Sequence, residues 1–307
     1  MMPRLQGDTG AQTAPIVAEP SIERLCRLSG VSRAGYYRNW QDSAPRQEET
    51  AVRDVLQRLA LGNRRYGYRR LGVLLRRDGW AVNHKRVLRL MHEDNLLCLP
   101  SKPFVPVTTD SRHEWRIVPN LARGLTLTGI DQLWVADITY IHMAEEFVYL
   151  AVVLDAFSRR VVGWALEPHL RASLAVAALE MALSARRPAP DSLIHHSDRG
   201  VQYACNDYTK RLAEQGIRAS MSRVANPYDN AKAERFMRTL KEDEVDGRSY
   251  RDAAEAREKI GNFIEEVYNR HRLHSALGYN APTHYEEILS QRVVAHAPPH
   301  VGQPACP

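Results

Sequence analysis

The sequence is poor in cysteine and has no long hydrophobic run, and both features narrow the class of protein. Its four cysteines are scattered over 307 residues in no spacing typical of a zinc site or a disulfide framework. We therefore expect reduced thiols in a cytoplasmic protein. No apolar run approaches the ~18 to 20 residues that span a membrane. The first residues also lack the apolar core of a secretion signal, so we expect no contact with membranes.

Acidic side chains are scarce in the first part of the chain, which predicts a polyanionic partner there. Residues 1–120 carry 20 basic and 12 acidic side chains, whereas residues 121–307 carry 22 and 24. Between Asn63 and His92 nine residues are Lys or Arg, and Asp78 alone is acidic. A solvated surface normally mixes both signs, so contact with nucleic acid is favoured over a merely solvated face.

Helical periodicity predicts that this basic part is all-helical. A short helix that stops at Gly30, followed by a second that restarts behind Ser32, is typical of a helix-turn-helix, although many helical hairpins share the pattern. Two more helices, Tyr68–Arg77 and His84–Asp94, carry most of the basic residues. Their predicted inward side chains are Leu71, Leu74 and Leu75, and Val87, Leu88 and Met91. The predicted DNA-binding side chains are Arg69, Arg70, Lys85, Arg86 and Arg89.

From about Gly129 the pattern changes to β-branched and aromatic runs. The runs 133–143 and 147–157 predict a hairpin, and R-V-V-G-W-A-L predicts a third antiparallel strand. There follow a predicted helix, strand, helix, strand and helix at 172–185, 192–196, 206–215, 218–221 and from about 229. This order, β-β-β-α-β-α-β-α, is that of the ribonuclease-H-like α/β fold, a mixed five-stranded sheet flanked by helices. A further helix, 255–268, is predicted to pack across the sheet.

These patterns divide the chain into six predicted segments. Both ends are rich in Pro and Ala without periodicity, which predicts disorder. The segments are a disordered tail at 1–20, a helix-turn-helix-like region at 21–62, a basic helical DNA-binding domain at 63–100, a linker at 101–128, a ribonuclease-H-like catalytic domain at 129–291, and a disordered tail at 292–307.

Three carboxylates stand where a charge needs a partner. Asp137 lies in mid-strand and Asp198 directly follows a strand. Glu234 lies in the first turns of a helix, and 35 residues separate it from Asp198. Each has an alternative explanation: Asp137 could pair with an arginine, Asp198 could begin a turn, and Glu234 could pair with Arg238 on the surface. Together they favour a site for two Mg²⁺ or Mn²⁺ ions, because these hard cations prefer oxygen ligands. Two such ions support in-line displacement at phosphorus.

The helix that carries Glu234 also brings polar and basic side chains to the same face. Asn230, Glu234, Arg238 and Lys241 are separated by four, four and three residues, so the four side chains share one face. We therefore expect cations for phosphate beside a metal ligand. His195 and His196 are adjacent on a strand and point to opposite faces, so they are not expected to chelate zinc.

Four motifs carry a resemblance to a known family. They are W-V-A-D-I-T-Y-I around Asp137, H-S-D-R-G-V-Q-Y around Asp198, D-N-A-K-A-E-R-F-M-R-T-L-K-E around Glu234, and Y-N-R-H-R-L-H-S-A-L-G-Y-N-A-P-T from Tyr268. A fifth, Y-G-Y-R-R-L from Tyr66, lies in the basic region. With them the chain resembles the catalytic, second-frame protein of bacterial insertion sequences of the insertion-sequence-three family. That family belongs to the retroviral-integrase superfamily of DDE recombinases.

The resemblance implies a mechanism and roles for particular residues. Asp137, Asp198 and Glu234 would be the catalytic metal ligands, with Asp137 bridging both ions. Lys241 would contact the terminal DNA of the insertion sequence, with Arg238 beside it. Asn230, close to the active centre, would belong to the same DNA-binding set in a supporting polar role rather than as a metal ligand. The implied reaction is hydrolysis of a phosphodiester at the end of the insertion sequence, followed by transfer of its 3′-hydroxyl into target DNA.

The resemblance also implies partners, and two other functions stay open. The implied partners are the terminal inverted repeats, target DNA, further copies of the chain, and the upstream-frame protein or a fusion with it, on the bacterial nucleoid. One alternative is a nuclease of the same fold that cleaves without joining. The other is a catalytically silent DNA-binding derivative, against which the three intact acids count.

Overall fold

A computed structural model describes residues 21–34, 37, 47–96, 98, 118–143, 146–223, 230–246 and 248–295. The predicted N-terminal tail and residues 101–117 of the predicted linker lie outside the described residues. So do residues 296–307, whereas residues 292–295 complete the final helix, α10, Pro282–Ala295. The chain divides into two compact units, residues 1–58 and 59–307.

The first unit contains α1, Ile22–Ser29, and most of α2, Gln47–Gly62. The Ser21 side chain accepts a hydrogen bond from the Arg24 amide at 3.3 Å, which caps the start of α1. Gly30 ends α1 in the left-handed conformation, φ 67°, as the sequence predicts. The predicted helix behind Ser32 lies largely outside the described residues.

The basic helices open the second unit as a packed pair. They are α3, Tyr68–Arg77, and α4, His84–Glu93, and the Asn83 side chain caps α4 by accepting from the Lys85 amide at 2.8 Å. The residues buried on these helices are Leu71, Gly72, Leu75, Val87, Leu90 and Met91. The inward face of α4 was therefore predicted wrongly at one position. Leu90 is fully buried, whereas Leu88 keeps partial exposure, as does Leu74 of α3.

A five-stranded mixed sheet forms the centre of the second unit. Its strands, β1 to β5, are Leu133–His142, Phe147–Asp155, Val161–Glu167, Ile194–Ser197 and Arg218–Met221, in the spatial order β3-β2-β1-β4-β5. The first three pair antiparallel, while β1 with β4 and β4 with β5 pair parallel. Every predicted strand is present, with ends that differ by at most two residues.

Helices cover both faces of this sheet. On one face lie α5, Ala172–Arg186, α6, Val201–Ala204, and α7, Asn206–Glu214. On the other lie α8, Ala231–Leu240, and α9, Ala253–Asn262. Both continue in wider, π-type turns, through Lys241–Val245 and Phe263–His271. Each layer contributes its own hydrophobic core, so the predicted α/β architecture is confirmed.

Strand β3 makes the tightest contacts with helices on both faces. A Cβ on Gly163 would collide with the Ala178 carbonyl of α5 and lie 2.7 Å from the Ala182 amide. On the opposite face a Cβ on Gly261 would lie 2.7 Å from the Trp164 ring. The two glycines therefore allow backbones and a large ring to meet where a longer side chain would separate the layers.

The final helix, α10, is bound to the sheet by charge. The Glu286 carboxylate accepts from Arg160 at 2.8 Å and from Arg186 at 2.5 Å, in a pocket where Glu286 is almost fully buried. These charge-assisted bonds satisfy a carboxylate that would otherwise be costly to bury. In the described part of the chain, none of the helices has the length and apolar character needed to cross a bilayer.

Candidate active site

The sheet register brings two of the three predicted acids together. Strands β1 and β4 run parallel with Val135 opposite His196. Two residues farther along each strand direction lie Asp137, within β1, and Asp198, directly after β4. Because neighbouring strands in a sheet lie ~5 Å apart, Asp137 and Asp198 are neighbours at the same end of these two strands.

Helix α8 adds the third acid from above the same face. Strand alternation puts Asp137 on the side of Val135, which belongs to the core beneath α8. Glu234 lies in the first turn of α8 and is exposed. The buried Asn230 side chain, directly before α8, donates from Nδ2 to the Ala136 carbonyl at 3.0 Å. This bond fixes the start of α8 against β1 beside Asp137.

The convergence of the acids is visible in their electrostatics. Burial raises the pKa of Asp137 to about 8, with further increases from the charges of Asp198 and Glu234. The Ile138 amide, which donates to Asp137 at 2.9 Å, and the Lys241 ammonium act in the opposite direction. Burial also raises the pKa of Glu234, against the effect of Arg238. Three mutually repelling carboxylates form a site that a cation would stabilise.

Lys241 borders this group of acids, as the shared helix face predicts. Its Nζ lies 4.8 Å from the centre of the Tyr140 ring, on β1. Burial lowers the pKa of Lys241, whereas Asp246 and Asp137 raise it. The ammonium is thus held between an aromatic ring and the acids, where it can approach a phosphate.

The three acids have the oxygen ligands that a hard divalent cation prefers, although their side chains are not arranged around a single point. Among the described residues, no group of three or more His, Cys, Asp or Glu side chains is already arranged to hold a metal ion. The three acids nevertheless supply oxygen ligands, and their mutual repulsion, centred on Asp137, is relieved by positive charge. We conclude that the residues present are chemically suited to Mg²⁺ or Mn²⁺.

The contacts of Asp198 and Asp137 bear on two alternative roles, a turn residue for Asp198 and an arginine partner for Asp137. Asp198 does begin a turn, because its Oδ1 accepts from the Gly200 amide at 2.9 Å. This bond engages one carboxylate oxygen and is compatible with a ligand role for the other. For Asp137, the cation that acts on its pKa is Lys241 rather than an arginine.

Sequence reasoning missed one residue of the site, Tyr203. It is buried on α6, and its hydroxyl has no hydrogen-bond partner among the described residues. Burial raises its pKa, and the neighbouring Tyr208 and the charges of Asp198 and Asp137 raise it further. The signal was its position at the end of H-S-D-R-G-V-Q-Y, although an aromatic residue there is more often part of a core.

The adjacent histidines point away from each other, as predicted. The His195 ring shares a hydrogen bond at Nε2 with the Tyr208 hydroxyl at 2.9 Å, while His196 binds the hydroxyls of Ser220 and Ser222 at 2.8 and 3.0 Å. Burial lowers the pKa of His195 to about 3. Both rings are occupied in the core, in agreement with a packing role.

The predicted DNA-binding side chains of α3 and α4 differ in their surroundings. Arg69 and Lys85 are exposed, and Arg86 is half-buried. Arg89 is exposed and pairs with Glu93 at 2.8 Å. Arg70 has its guanidinium 5.1 Å from the centre of the Tyr66 ring. Arg70 is therefore turned toward the catalytic layer rather than outward with Arg69.

The fold defines an integrase-type catalytic core preceded by a basic helical region. Family models agree with both parts. "Integrase core domain" models match residues 128–227 and 215–282, and an "HTH-like domain" model matches residues 46–104. The class is that of DDE-type transposases and integrases.

Full-length relatives identify the family within that class. The chain is 37% identical over 272 residues to the "Insertion element IS600 uncharacterized 31 kDa protein" of Shigella sonnei, covering 87% of this chain and 99% of that protein. It is also 37% identical over 275 residues to "Transposase InsF for insertion sequence IS3A" of Escherichia coli strain K12, covering 88% and 95%. The chain belongs to the IS3 family of insertion-sequence transposases, which confirms the resemblance.

Solved structures with some likeness come from retroviral proteins. A chain of the simian T-cell lymphotropic virus intasome is 16% identical, with a TM-score of 0.43, and the match covers 79% of this chain and 75% of that one. The HTLV-2 integrase catalytic core domain in complex with magnesium is 14% identical, with a TM-score of 0.40, and covers 56% and 99%.

Proposed function

We propose that this protein cuts DNA at the ends of an insertion sequence and joins those ends to a target. The observation that carries the proposal is the convergence of Asp137, Asp198 and Glu234 in an integrase core of the IS3 transposase family. The repulsion among the three acids makes a structural explanation for their proximity unfavourable, because apposed carboxylates cost stability unless a cation joins them.

In this proposal Asp137, Asp198 and Glu234 would hold two Mg²⁺ or Mn²⁺ ions. When bound, such ions lower the pKa of an attacking oxygen and stabilise the charge on the departing one. The protein supplies the rigid positions: Asp137 from the middle of a paired strand, Asp198 from a hydrogen-bonded turn, and Glu234 from a helix whose start is fixed by Asn230.

The reaction consists of two displacements at phosphorus. In the first, a water oxygen attacks a phosphodiester at the end of the insertion sequence, and the bond to the 3′ oxygen breaks. In the second, that 3′-hydroxyl oxygen attacks a phosphodiester of the target, whose own 3′ oxygen leaves. The leaving oxygen accepts a proton in each step. Both steps need the same group of carboxylates, so one site serves both.

Basic side chains around the site would hold the DNA. Lys241 and Arg238 lie on the face of α8 that carries Glu234, and we propose that they contact the terminal DNA with Asn230 close by. On α3 and α4 the proposed contacts are made by Arg69, Arg70, Lys85, Arg86 and Arg89. Phosphate contacts of this kind give affinity and register without reading bases.

The wider assembly forms part of the same proposal. Cutting and joining two DNA ends requires more than one active site in one complex, which supports a homo-oligomer on DNA. We also propose that the protein acts on the bacterial nucleoid in the cytoplasm, either with the upstream-frame protein or as a fusion to it.

A strand-transfer assay tests the proposal directly. The substrate is labelled DNA that carries the ends of the insertion sequence, incubated with the protein, unlabelled target and Mg²⁺. The wild type should produce joined strands. We expect Asp137→Asn, Asp198→Asn and Glu234→Gln each to reduce the rate about 10³-fold or more, since several kcal/mol of transition-state stabilisation would be lost.

The matched control is Asp207→Asn, an exposed acid in the first turn of α7. It should leave joining unchanged. Normal joining by any of the three site variants would remove that residue from the assignment. Cleaved strands without joined products from the wild type would instead favour a nuclease.

A further inference from the structure

A second group of charged residues, beside the catalytic acids, contains cations almost exclusively. It comprises Arg70 of α3, Arg159 of the β2–β3 turn, Lys232 and Arg235 of α8, and Arg272 and His274 after α9; we call it the arginine cluster. The Tyr66 ring holds Arg70, and its hydroxyl accepts from the Leu273 amide, between Arg272 and His274. The His274 ring packs on Tyr268, which packs on Phe236, next to Arg235. Lys232 and Arg235 are three residues apart on α8 and so share a face. The charges of Arg70, Arg159 and Arg235 also lower the pKa of His274.

Among the described residues, fewer acids than cations lie close enough to influence the charge of this cluster. Asp243 forms an ion pair with Arg272. Asp155 accepts hydrogen bonds from the amides of Phe157 and Ser158 in its own turn, at 2.9 and 2.7 Å. Glu242 also acts on Arg272. The cluster therefore keeps an excess of positive charge.

The cluster is held in a fixed arrangement that lowers the stability of the protein, and a bound anion could offset this loss. The Asp155 turn fixes Arg159 in the left-handed conformation, φ 66°, which is unfavourable for a residue with a Cβ. Tyr66 supports Arg70 through its ring and accepts a hydrogen bond from the Leu273 amide at 2.9 Å. Like charges fixed at close range repel, so the arrangement destabilises the protein alone and favours a bound anion.

His274 gives an independent sign of a missing ligand. Its Nε2 is buried and has no hydrogen-bond partner among the described residues. Burial and the surrounding arginines lower the pKa of His274 to about 3, so the ring is neutral at pH 7. A neutral imidazole can donate one hydrogen bond to a phosphate oxygen. Its ring is fixed edge-to-face on Tyr268, with the centroids 5.1 Å apart.

The position of the cluster suits DNA engaged by the catalytic acids. Arg235 follows Glu234 on α8, and both side chains are exposed. Because successive helical residues point about 100° apart, these two side chains leave α8 in neighbouring directions. A nucleic acid strand that reaches Glu234 would therefore pass the exposed end of the cluster. Arginine is also the side chain best suited to bidentate contact with phosphate.

We propose that the arginine cluster is a binding site for a DNA backbone phosphate beside the reaction centre, with Arg159, Lys232 and Arg235 as the contacting cations. The inference rests on the proposed function for its substrate, DNA. It differs from that function in its residues and needs no metal. Arg272 positions the site through its ion pair with Asp243, and His274 donates the neutral hydrogen bond. Arg70, held on the Tyr66 ring, keeps the DNA contact proposed for it above.

The test is equilibrium DNA binding in EDTA, measured by fluorescence anisotropy with a labelled duplex of arbitrary sequence over a series of salt concentrations. Each phosphate contact that is lost should reduce the slope of log K against log salt by about 0.9. We expect that reduction for Arg235→Ala and for Arg159→Asn, which keeps a residue suited to the left-handed turn. Arg235→Lys should retain the wild-type slope.

The control is Arg270→Ala, an exposed arginine paired with Glu266 at 3.3 Å, which should not change the slope. Thermal unfolding of each variant establishes that it is folded. Wild-type slopes for folded Arg235→Ala and Arg159→Asn would overturn the proposal, as would an equal reduction in Arg270→Ala. Asp137→Asn should bind normally in EDTA, so failure of the catalytic assignment is detected separately in the joining assay.

Discussion

At the scale of single residues, Asp137 makes the stability of the folded protein depend on pH. Its carboxyl lies in mid-strand, beside two other acids, and its pKa is raised from 3.8 to about 8 mainly by burial. In the unfolded chain the same group would titrate near its ordinary value. Folding therefore takes up a proton at Asp137 between these two pH values.

This linkage predicts that the metal-free protein loses stability as pH rises from about 4 to about 8. Below that window the carboxyl is protonated in both states and carries no penalty; within it, the penalty grows by at most ~1.4 kcal/mol per pH unit. Urea unfolding in EDTA at pH 5 and at pH 7.5 measures the effect. Asp137→Asn should lack this contribution, and so become more stable than the wild type at the higher pH.

Asp207→Asn serves again as the control and should follow the wild-type pH dependence. Mg²⁺ should restore stability to the wild type at pH 7.5, because the bound cation neutralises the Asp137 carboxylate. It should have less effect on Asp137→Asn, which lacks that carboxylate. Identical pH dependence for wild type and Asp137→Asn would show that Asp137 is ionised normally.

At the scale of secondary-structure elements, the sheet depends on close approach at β3. Gly163 permits contact with α5, and Trp164 packs against Gly261 of α9. Replacement of Gly163 by alanine would force the α5 backbone away from β3. We expect a loss of about 1–3 kcal/mol in the free energy of unfolding, measured by urea denaturation.

The comparison for this variant is Gly67→Ala. Gly67 precedes α3, has a negative φ of −80°, and has open space around its Cα. Alanine is a poorer N-cap residue than glycine but meets no other atom here, so the cost should stay below about 1 kcal/mol. Equal costs at Gly67 and at Gly163 would mean that α5 can shift without penalty.

The elements themselves were largely predictable because their signals are local. Strand β5 and helix α3 have the predicted bounds, since alternation and helical spacing are written in neighbouring residues. Leu88 and Leu90 show the limit, because both suit an inward position and only the packing partner distinguishes them. The π-type turns at Phe263–His271 also depend on long-range packing and were not foreseen.

The motifs of the candidate site could be found in the sequence, whereas the contacts that support the site could not. The family that the motifs around Asp137, Asp198 and Glu234 imply is confirmed, and the role of these three acids stays a prediction. The bond from Asn230 to the Ala136 carbonyl and the proximity of Tyr203 to two acids join residues far apart in the sequence. No local pattern encodes such pairings; the same is true of the arginine cluster, which draws on four separate segments.

At the scale of the whole molecule, the basic helices are joined to the catalytic layer by specific bonds. The buried Tyr66 hydroxyl accepts from the Leu273 amide, and Arg77 donates to the Tyr279 carbonyl at 2.9 Å. Both hydrogen bonds join segments within the unit of residues 59–307. The α3–α4 pair is thus expected to unfold together with the sheet.

Tyr66→Phe tests this coupling, because it removes one hydroxyl and keeps the ring beneath Arg70. The Leu273 amide would lose its partner, so we expect a loss of about 1–3 kcal/mol, seen by thermal unfolding followed with near-ultraviolet circular dichroism. Tyr68→Phe is the control, since that half-buried side chain contacts His84 and Arg69 through its ring. A similar small change in both variants would show that the hydroxyl does not couple the two parts.

The order of the elements along the chain also determines when the site is completed during synthesis. All five strands precede α8, so Asp137 and Asp198 leave the ribosome before Glu234, and one face of the sheet stays uncovered until α8 and α9 follow. Only when Asn230 reaches the Ala136 carbonyl is the third acid fixed. The bonds that hold the basic helices also wait for later residues, Leu273 and Tyr279. On the proposed assignment, cutting of DNA would therefore have to wait until the last part of the core has emerged.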